Sequence, residues 1–377
     1  MTEAAPPLAV YIHWPYCAKV CPYCDFNVVR DRGRLVQQQA LVEAIARDLE
    51  FQAQVIGPRR LSSIFFGGGT PSLMQPEWVE RLIAAARRLW PSEGPIEVSL
   101  EANPTDAESG RFPELAGAGI QRLSLGVQSF DDASLRFLGR NHDAGQAQRA
   151  LDAALAAFPR VSLDLIYALP EQTPQGWAAE LTRAAASGAE HISPYQLTIE
   201  AGTAFDRAVR RGSFKPADPD LGATLYETTQ SILGSAGFEA YEVSNHARGV
   251  AARSTHNLAY WRGWDYVGAG PGAHGRLTVA GRRIATESAA KIDAYIAAAG
   301  RGLQGAETLS SEDVAVERVL MGLRTVEGVA LDELAPLLVK ALPSLVVQGL
   351  VETSNGRVLV TATGRPVLDR ITAELAS

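Results

Sequence analysis

The stretch YIHWPYCAKVCPYCDF, residues 11–26, holds all three cysteines of the 377-residue chain, spaced C-x3-C-x2-C. It continues a β-type run, LAVYIHW (8–14). Thiolates favour soft and borderline metals, zinc and iron–sulfur clusters among them. A closed [4Fe–4S] site uses a thiolate on each iron. Three thiolates on one short loop, Cys17, Cys21 and Cys24, can hold three irons and leave the fourth open to a ligand with an amine and a carboxylate. The alternative is a zinc site made from the same thiolates and His13, although structural zinc sites usually gather two separated ligand pairs. An odd, tightly clustered set of cysteines cannot form a disulfide framework and reads as a metal site in the cytoplasm.

Outward from this loop, β-type runs recur at 61–69 (LSSIFFGGG), 96–104 (IEVSLEANP), 121–129 (QRLSLGVQS), 161–170 (VSLDLIYALP) and 191–200 (HISPYQLTIE). Between them lie stretches with apolar residues at helical spacing, such as PEWVERLIAAARRLW and GQAQRALDAALAAF. Strand–helix alternation predicts βαβ units and a parallel sheet, open or curled into a barrel. In barrels of this kind functional groups sit at the C-terminal ends of the strands. Cys17, Gly68, Glu101, Gln128 and Asp164 all fall there, whereas the strand interiors are Val, Ile, Leu and Phe. Glycines such as Gly68 and Gly69 let backbone approach a ligand without Cβ collision.

The pattern changes after about residue 280, which divides the chain into 1–280 and 281–377. LSSEDVAVERVLMGLRTVEGV reads as a helix opened by Ser and acidic residues. LDELAPLLVKALPSLVVQGLV adds two short helical pieces. VETSNGRVLVTATG is a hairpin turning at Asn355-Gly356, followed by a last helix. The small C-terminal unit is thus winged-helix-like. With 35 basic and 42 acidic residues and no basic run, the chain lacks the footprint of a nucleic-acid reader. No apolar stretch reaches the length of a membrane span. The opening MTEAAPPLAVYIHWP lacks a secretory pattern.

The cysteine spacing at the end of a first strand resembles the radical SAM superfamily, and the fuller string Y-I-H-x-P-x-C-x3-C-x-Y-C resembles its coproporphyrinogen dehydrogenase-like branch. The resemblance implies an α/β fold, a partial (β/α)6-type radical SAM barrel, with a [4Fe–4S] cluster and S-adenosylmethionine (SAM) whose reductive cleavage gives a 5′-deoxyadenosyl radical. It implies that Gly68, Gly69 and Thr70, after the second strand, contact the methionine part of SAM. Glu101 in E-A-N-P, Gln128 in G-V-Q-S-F, Arg140 in L-G-R-N-H and Asp164 in D-L-I-Y-A-L-P match residues that line the pocket. Tyr11 and Tyr23 match aromatic positions beside them.

Within the branch, the dehydrogenase group continues to a fourth cysteine where this chain has Phe26, and it carries an N-terminal extension. Both departures resemble the HemW-type heme chaperones, which bind heme and pass it to recipient proteins. H-N-L-A-Y-W (256–261) resembles a motif of that group, and His256 is the candidate heme ligand. The other five histidines read as structural. Expected partners are heme, recipient proteins and an electron donor for the cluster. Contact with a membrane surface is left open. The competing expectation is an oxygen-independent coproporphyrinogen III dehydrogenase or another radical SAM enzyme of porphyrin metabolism.

Overall fold

A computed structural model describes residues 5–334 and 341–376. Six parallel strands follow one another through the first half of the chain: β1 (Pro7–Trp14), β2 (Arg60–Gly68), β3 (Glu97–Ala102), β4 (Arg122–Gln128), β5 (Arg160–Tyr167) and β6 (His191–Gln196). They pair in sequential order, β1 with β2 through to β5 with β6. Strands buried on both faces need no polar alternation. β1 accordingly buries Leu8, Ala9, Val10, Ile12 and Trp14 together. Helices cross between the strands and bury one stripe each. Leu41, Ile45 and Leu49 of α1 (Leu35–Ile56) and Leu82 of α2 (Pro76–Leu89) are fully buried.

The helix starts carry recognisable caps. Asp143 accepts from the Gln146 amide in a capping box before α3 (Ala144–Ala157). Thr173 caps α4 (Pro174–Ala185), and Asp218 caps α5 (Pro219–Ser235).

The sheet does not close, because β6 and β1 do not pair. β6 continues instead into an antiparallel pair, β7 (Glu239–Glu242) and β8 (Asn245–Ala247). On the far side β1 pairs in parallel with β9 (Asp265–Ala269), which leads antiparallel to β10 (His274–Val279), β11 (Arg282–Glu287) and β12 (Glu307–Thr308). The partial barrel expected for residues 8–196 is present within a single sheet of twelve strands.

The boundary expected at 280 sits inside this sheet. β11 and β12 extend it. Between them a helix, α7 (Ile292–Ala298), docks on α1, where Tyr295 donates to buried Asp48 at 2.9 Å. Before β9 lies the short α6 (Thr255–Trp261), capped by Ser254.

A second apolar core holds the C-terminal unit. Val319 and Leu323 from α8 (Ser311–Gly322) and its C-cap pack with Val329, Leu345, Val351, Val358 and Ile371. Ser310 and Asp313 form the expected capping box. The hairpin β14 (Val351–Ser354) and β15 (Arg357–Val360), joined by β13 (Val329–Ala330), turns at Asn355 and Gly356 with φ of 49° and 73°. Two positive φ values in a two-residue turn match the right-handed strand twist. Of the two helical pieces expected around 331–350, Leu342–Val347 is a helix. The other falls partly on 335–340, outside the described residues. Among the described residues no helix is long and apolar enough to cross a membrane.

Candidate functional site

The C-terminal ends of β1 to β6 surround a cavity of about 520 Å³. The cysteine loop covers it. A two-residue parallel pairing, Tyr16–Cys17 with Val29–Arg30, pins the loop at both ends. A turn from the Cys24 amide to the Cys21 carbonyl, 3.2 Å, shapes its middle. All three thiols are free, Cys17 buried and the others half-buried. Burial pushes the Cys17 thiol up to about 12, and the nearby Cys24 and Cys21 add to the rise. Three crowded thiolates need positive charge to exist together, which a bound metal centre supplies.

The zinc alternative would add His13 to the three thiolates. Among the described residues no three His, Cys, Asp or Glu side chains converge on one metal position. His13 is committed elsewhere: its Nε2–H donates to the Asn27 carbonyl at 2.9 Å and its Nδ1 accepts from Tyr11 at 3.1 Å. A donor set of thiols alone suits an iron–sulfur cluster.

Arg140 stands beside the loop. It donates to Cys21 Sγ at 3.2 Å, to Tyr23 at 3.4 Å and to the Gly126 carbonyl at 3.0 Å, and it is anchored by Asn103. Its buried Nε has no protein partner. Neither surface ion pairing nor a core role accounts for a guanidinium so placed.

The glycine loop after β2 is tied to the cysteine loop through backbone. The Gly69 and Thr70 amides donate to the Trp14 and Tyr16 carbonyls at 2.7 and 2.8 Å. Gly68 has a φ of 106°, and a Cβ there would lie 2.5 Å from the His13 ring. A Cβ on Gly69 would lie 2.6 Å from the Tyr16 carbonyl oxygen. Only glycine allows this approach.

Facing the loop from β3, Glu101 accepts from the Gly68 amide at 3.1 Å. Burial, and after it the Asp164 charge, pushes its carboxyl up to about 8. Burial likewise pushes Asp164 up to about 6 against the two contacts from the Ser124 hydroxyl at 3.1 and 2.9 Å. Gln128 ends β4 in the left-handed region at φ 67°, rare for a residue with a side chain, and lines the same cavity. Such outliers cluster at ligand clamps. Two polar carboxyls, an amide and a guanidinium around glycine backbone form a set able to hold a zwitterionic, hydroxylated ligand.

The structure thus brings Tyr11, Tyr23, Gly68, Gly69, Thr70, Glu101, Gln128, Arg140 and Asp164 to one cavity with the three cysteines. His256 also borders it but presents no spare nitrogen. Its Nδ1 is bonded to Ser63 at 2.9 Å and its Nε2 to Tyr260 at 2.8 Å, with the ring stacked on Phe65 at 4.9 Å. Burial holds it down to about 3, neutral at any ordinary pH. The ring buttresses Tyr260 in this structure, so both nitrogens expected to serve a heme iron are engaged by Ser63 and Tyr260. Asn103 and Ser124 escaped sequence reading. Asn103 could have been taken from E-A-N-P, whereas Ser124 is one small polar residue inside a strand.

A second cavity, about 870 Å³, opens beside the first and shares Tyr11, Asp25, Phe26 and Tyr260 with it. Phe26, 61% exposed, stands at the junction.

Residues 11–182 match the radical SAM superfamily, and residues 309–367 match the HemN C-terminal domain. The chain is 40% identical to mouse (Mus musculus) "Radical S-adenosyl methionine domain-containing protein 1, mitochondrial", over 87% of this chain and 75% of that protein. It is 34% identical to the "Heme chaperone HemW" of Mycobacterium tuberculosis, over 98% of this chain and 95% of that one. To the Escherichia coli protein of the same name it is 39% identical, over 74% and 72%. The fold matches a solved structure described as "Coproporphyrinogen III oxidase (HemN) from Escherichia coli is a Radical SAM enzyme", with a TM-score of 0.80 at 24% identity, over 99% and 91%.

Proposed function

This chain belongs to the HemN/HemW-type branch of the radical SAM superfamily, and from that premise we propose that it is a heme chaperone, holding heme and passing it to recipient proteins. Members of the superfamily carry a [4Fe–4S] cluster and SAM. In this chain Cys17, Cys21 and Cys24 hold the cluster. Arg140 offsets the charge on Cys21. Gly68, Gly69 and Thr70 accept the methionine part of SAM, while Glu101, Gln128 and Asp164 hold its polar groups and Tyr11 and Tyr23 close the sides. When bound, the pair supplies one-electron chemistry, and the protein's part is to orient it and exclude water.

The observation that carries the heme reading is the second cavity. Its 870 Å³ lies within the roughly 300–1,000 Å³ of ligand-binding clefts, and it opens at the side of the cluster loop where Phe26 replaces a thiol. We also place the chain in the reducing cytoplasm, with an electron donor for the cluster, and a boundary between its two units near residue 309. Membrane-surface contact would come at the moment of delivery.

The test is a pair of assays on anaerobically reconstituted protein. Heme titration is expected to give a saturable spectral change and transfer to an apo heme protein. Coproporphyrinogen III is expected to remain unconverted, and its turnover would replace this reading with the dehydrogenase.

A further inference from the structure

The sequence holds six histidines, and the fold sorts them sharply. His13 bonds Tyr11 and Asn27, His191 bonds Ser162 and Tyr241, and His256 bonds Ser63 and Tyr260. His142 and His246 are buried and each bonds through one ring nitrogen, to the Val127 carbonyl and to Gln230. His274 alone is exposed, and it lines the 870 Å³ cavity.

Its place follows from strand periodicity. Successive side chains of a strand point to opposite faces. Along β10, Gly275 and Leu277 face the core, and Leu277 is fully buried. His274, Arg276 and Thr278 take the other face and line the cavity. Directly across the ladder from His274 is Glu287 of β11, also in the lining. Opposed residues share a face with Cβ atoms about 5 Å apart.

We propose that His274 is the iron ligand that holds heme in this cavity, resting on the heme-chaperone reading above. An exposed imidazole in a cleft of this size is suited to bind heme iron through one nitrogen. Glu287 stands where it can accept the other ring N–H, the carboxylate–histidine–metal arrangement that fixes a ligand's tautomer and orientation. Phe26, Tyr266 and Met321 supply apolar surface for a macrocycle. The arginines of the lining are already paired, Arg276 with Glu317, Arg318 with Glu333 and Arg283 with Asp265. Heme carboxylates would therefore find no unpaired arginine in this lining and would be left to solvent at the cavity mouth. The acidic lining residues Asp25 and Glu287 oppose any deeper placement of those carboxylates.

The experiment titrates hemin into the full-length protein and into His274→Ala, His274→Cys and Glu287→Gln, recording affinity and visible spectrum. Iron–sulfur content and melting temperature serve as controls for the fold. His274→Ala is expected to weaken binding at least about tenfold, the size of loss seen when even a supporting group of a metal ligand is removed, and to lose the histidine-ligated spectrum. His274→Cys is expected to bind with a thiolate-ligated spectrum, which a merely structural role would not produce. Glu287→Gln should weaken binding about tenfold while the spectrum stays histidine-like. Wild-type affinity and spectrum in both His274 variants, or weakened binding with the wild-type spectrum retained, would overturn the assignment and leave the chaperone reading standing. A wild-type protein that takes up no heme overturns both.

Discussion

Replacing Glu101 by Gln should make the protein more stable and its cofactor binding worse, and the gain should depend on pH. Glu101 carries a carboxyl pushed up to about 8 from 4.5, first by burial and then by Asp164. Because the folded value lies above the unfolded one, the folded chain holds an extra proton between them. Stability is present in full at low pH and falls as pH rises from about 4.5 towards 8. At pH 7 the interval from 4.5 spans 2.5 units, an upper bound of about 3 kcal/mol at 1.36 kcal/mol per unit. The side chain is half-buried, so solvent at the cavity mouth reduces this to about 2 kcal/mol. At pH 5 the same reasoning leaves under about 1 kcal/mol. Gln keeps an oxygen for the Gly68 amide, so that contact does not confound the comparison. The assay is urea unfolding of cluster-free wild type and Glu101→Gln at pH 5 and pH 7, with SAM affinity measured on the reconstituted proteins. An equal stability difference at both pH values, or a variant less stable at pH 7, would refute the electrostatic reasoning. Unchanged SAM affinity would refute the role of Glu101 in the site.

Gly68→Ala places a Cβ against the His13 ring at a φ of 106°. It should abolish detectable SAM binding and lower the melting temperature, as calorimetry and a binding titration would record. Glu97 accepts from the Thr255 and His256 amides, each at 3.1 Å, and pairs with Arg160 at 2.7 Å. Burial raises its carboxyl, yet Arg122, Arg160 and those amides reverse the rise and hold it below the usual range. Glu97→Ala should cost about 3 kcal/mol, the low end for a broken buried pair because Arg160 keeps Glu190, read from denaturant unfolding. That stabilisation should fade as pH drops below the ordinary carboxylate range, since a depressed folded value means protons are taken up on unfolding.

The barrel and most of its rim were legible because each strand is a short apolar run that ends in the residue with chemistry. Cys17, Gly68, Glu101, Gln128 and Asp164 needed no tertiary information to be found. The sheet's extension was not legible. RLTVAGRRIATE, residues 276–287, is charged, and Arg276 pairs with Glu317 of α8, so its alternation reads as surface rather than as strand. His256 shows the opposite failure. Its motif marks it out, but what its two nitrogens touch, Ser63 and Tyr260, depends on contacts 193 residues apart in one case. His274 carried no local signal at all, since exposure and freedom from partners are properties of the folded chain.

Tyr11, Phe26 and Tyr260 form a partition between the two cavities, with Tyr260 braced by His256. Guests that lean on opposite faces of the same side chains are coupled if either one shifts those side chains. Whatever factor SAM imposes on the affinity for heme must return unchanged as the factor heme imposes on the affinity for SAM. Any coupling between arming the cluster and loading the cargo would then pass through these three shared aromatic rings.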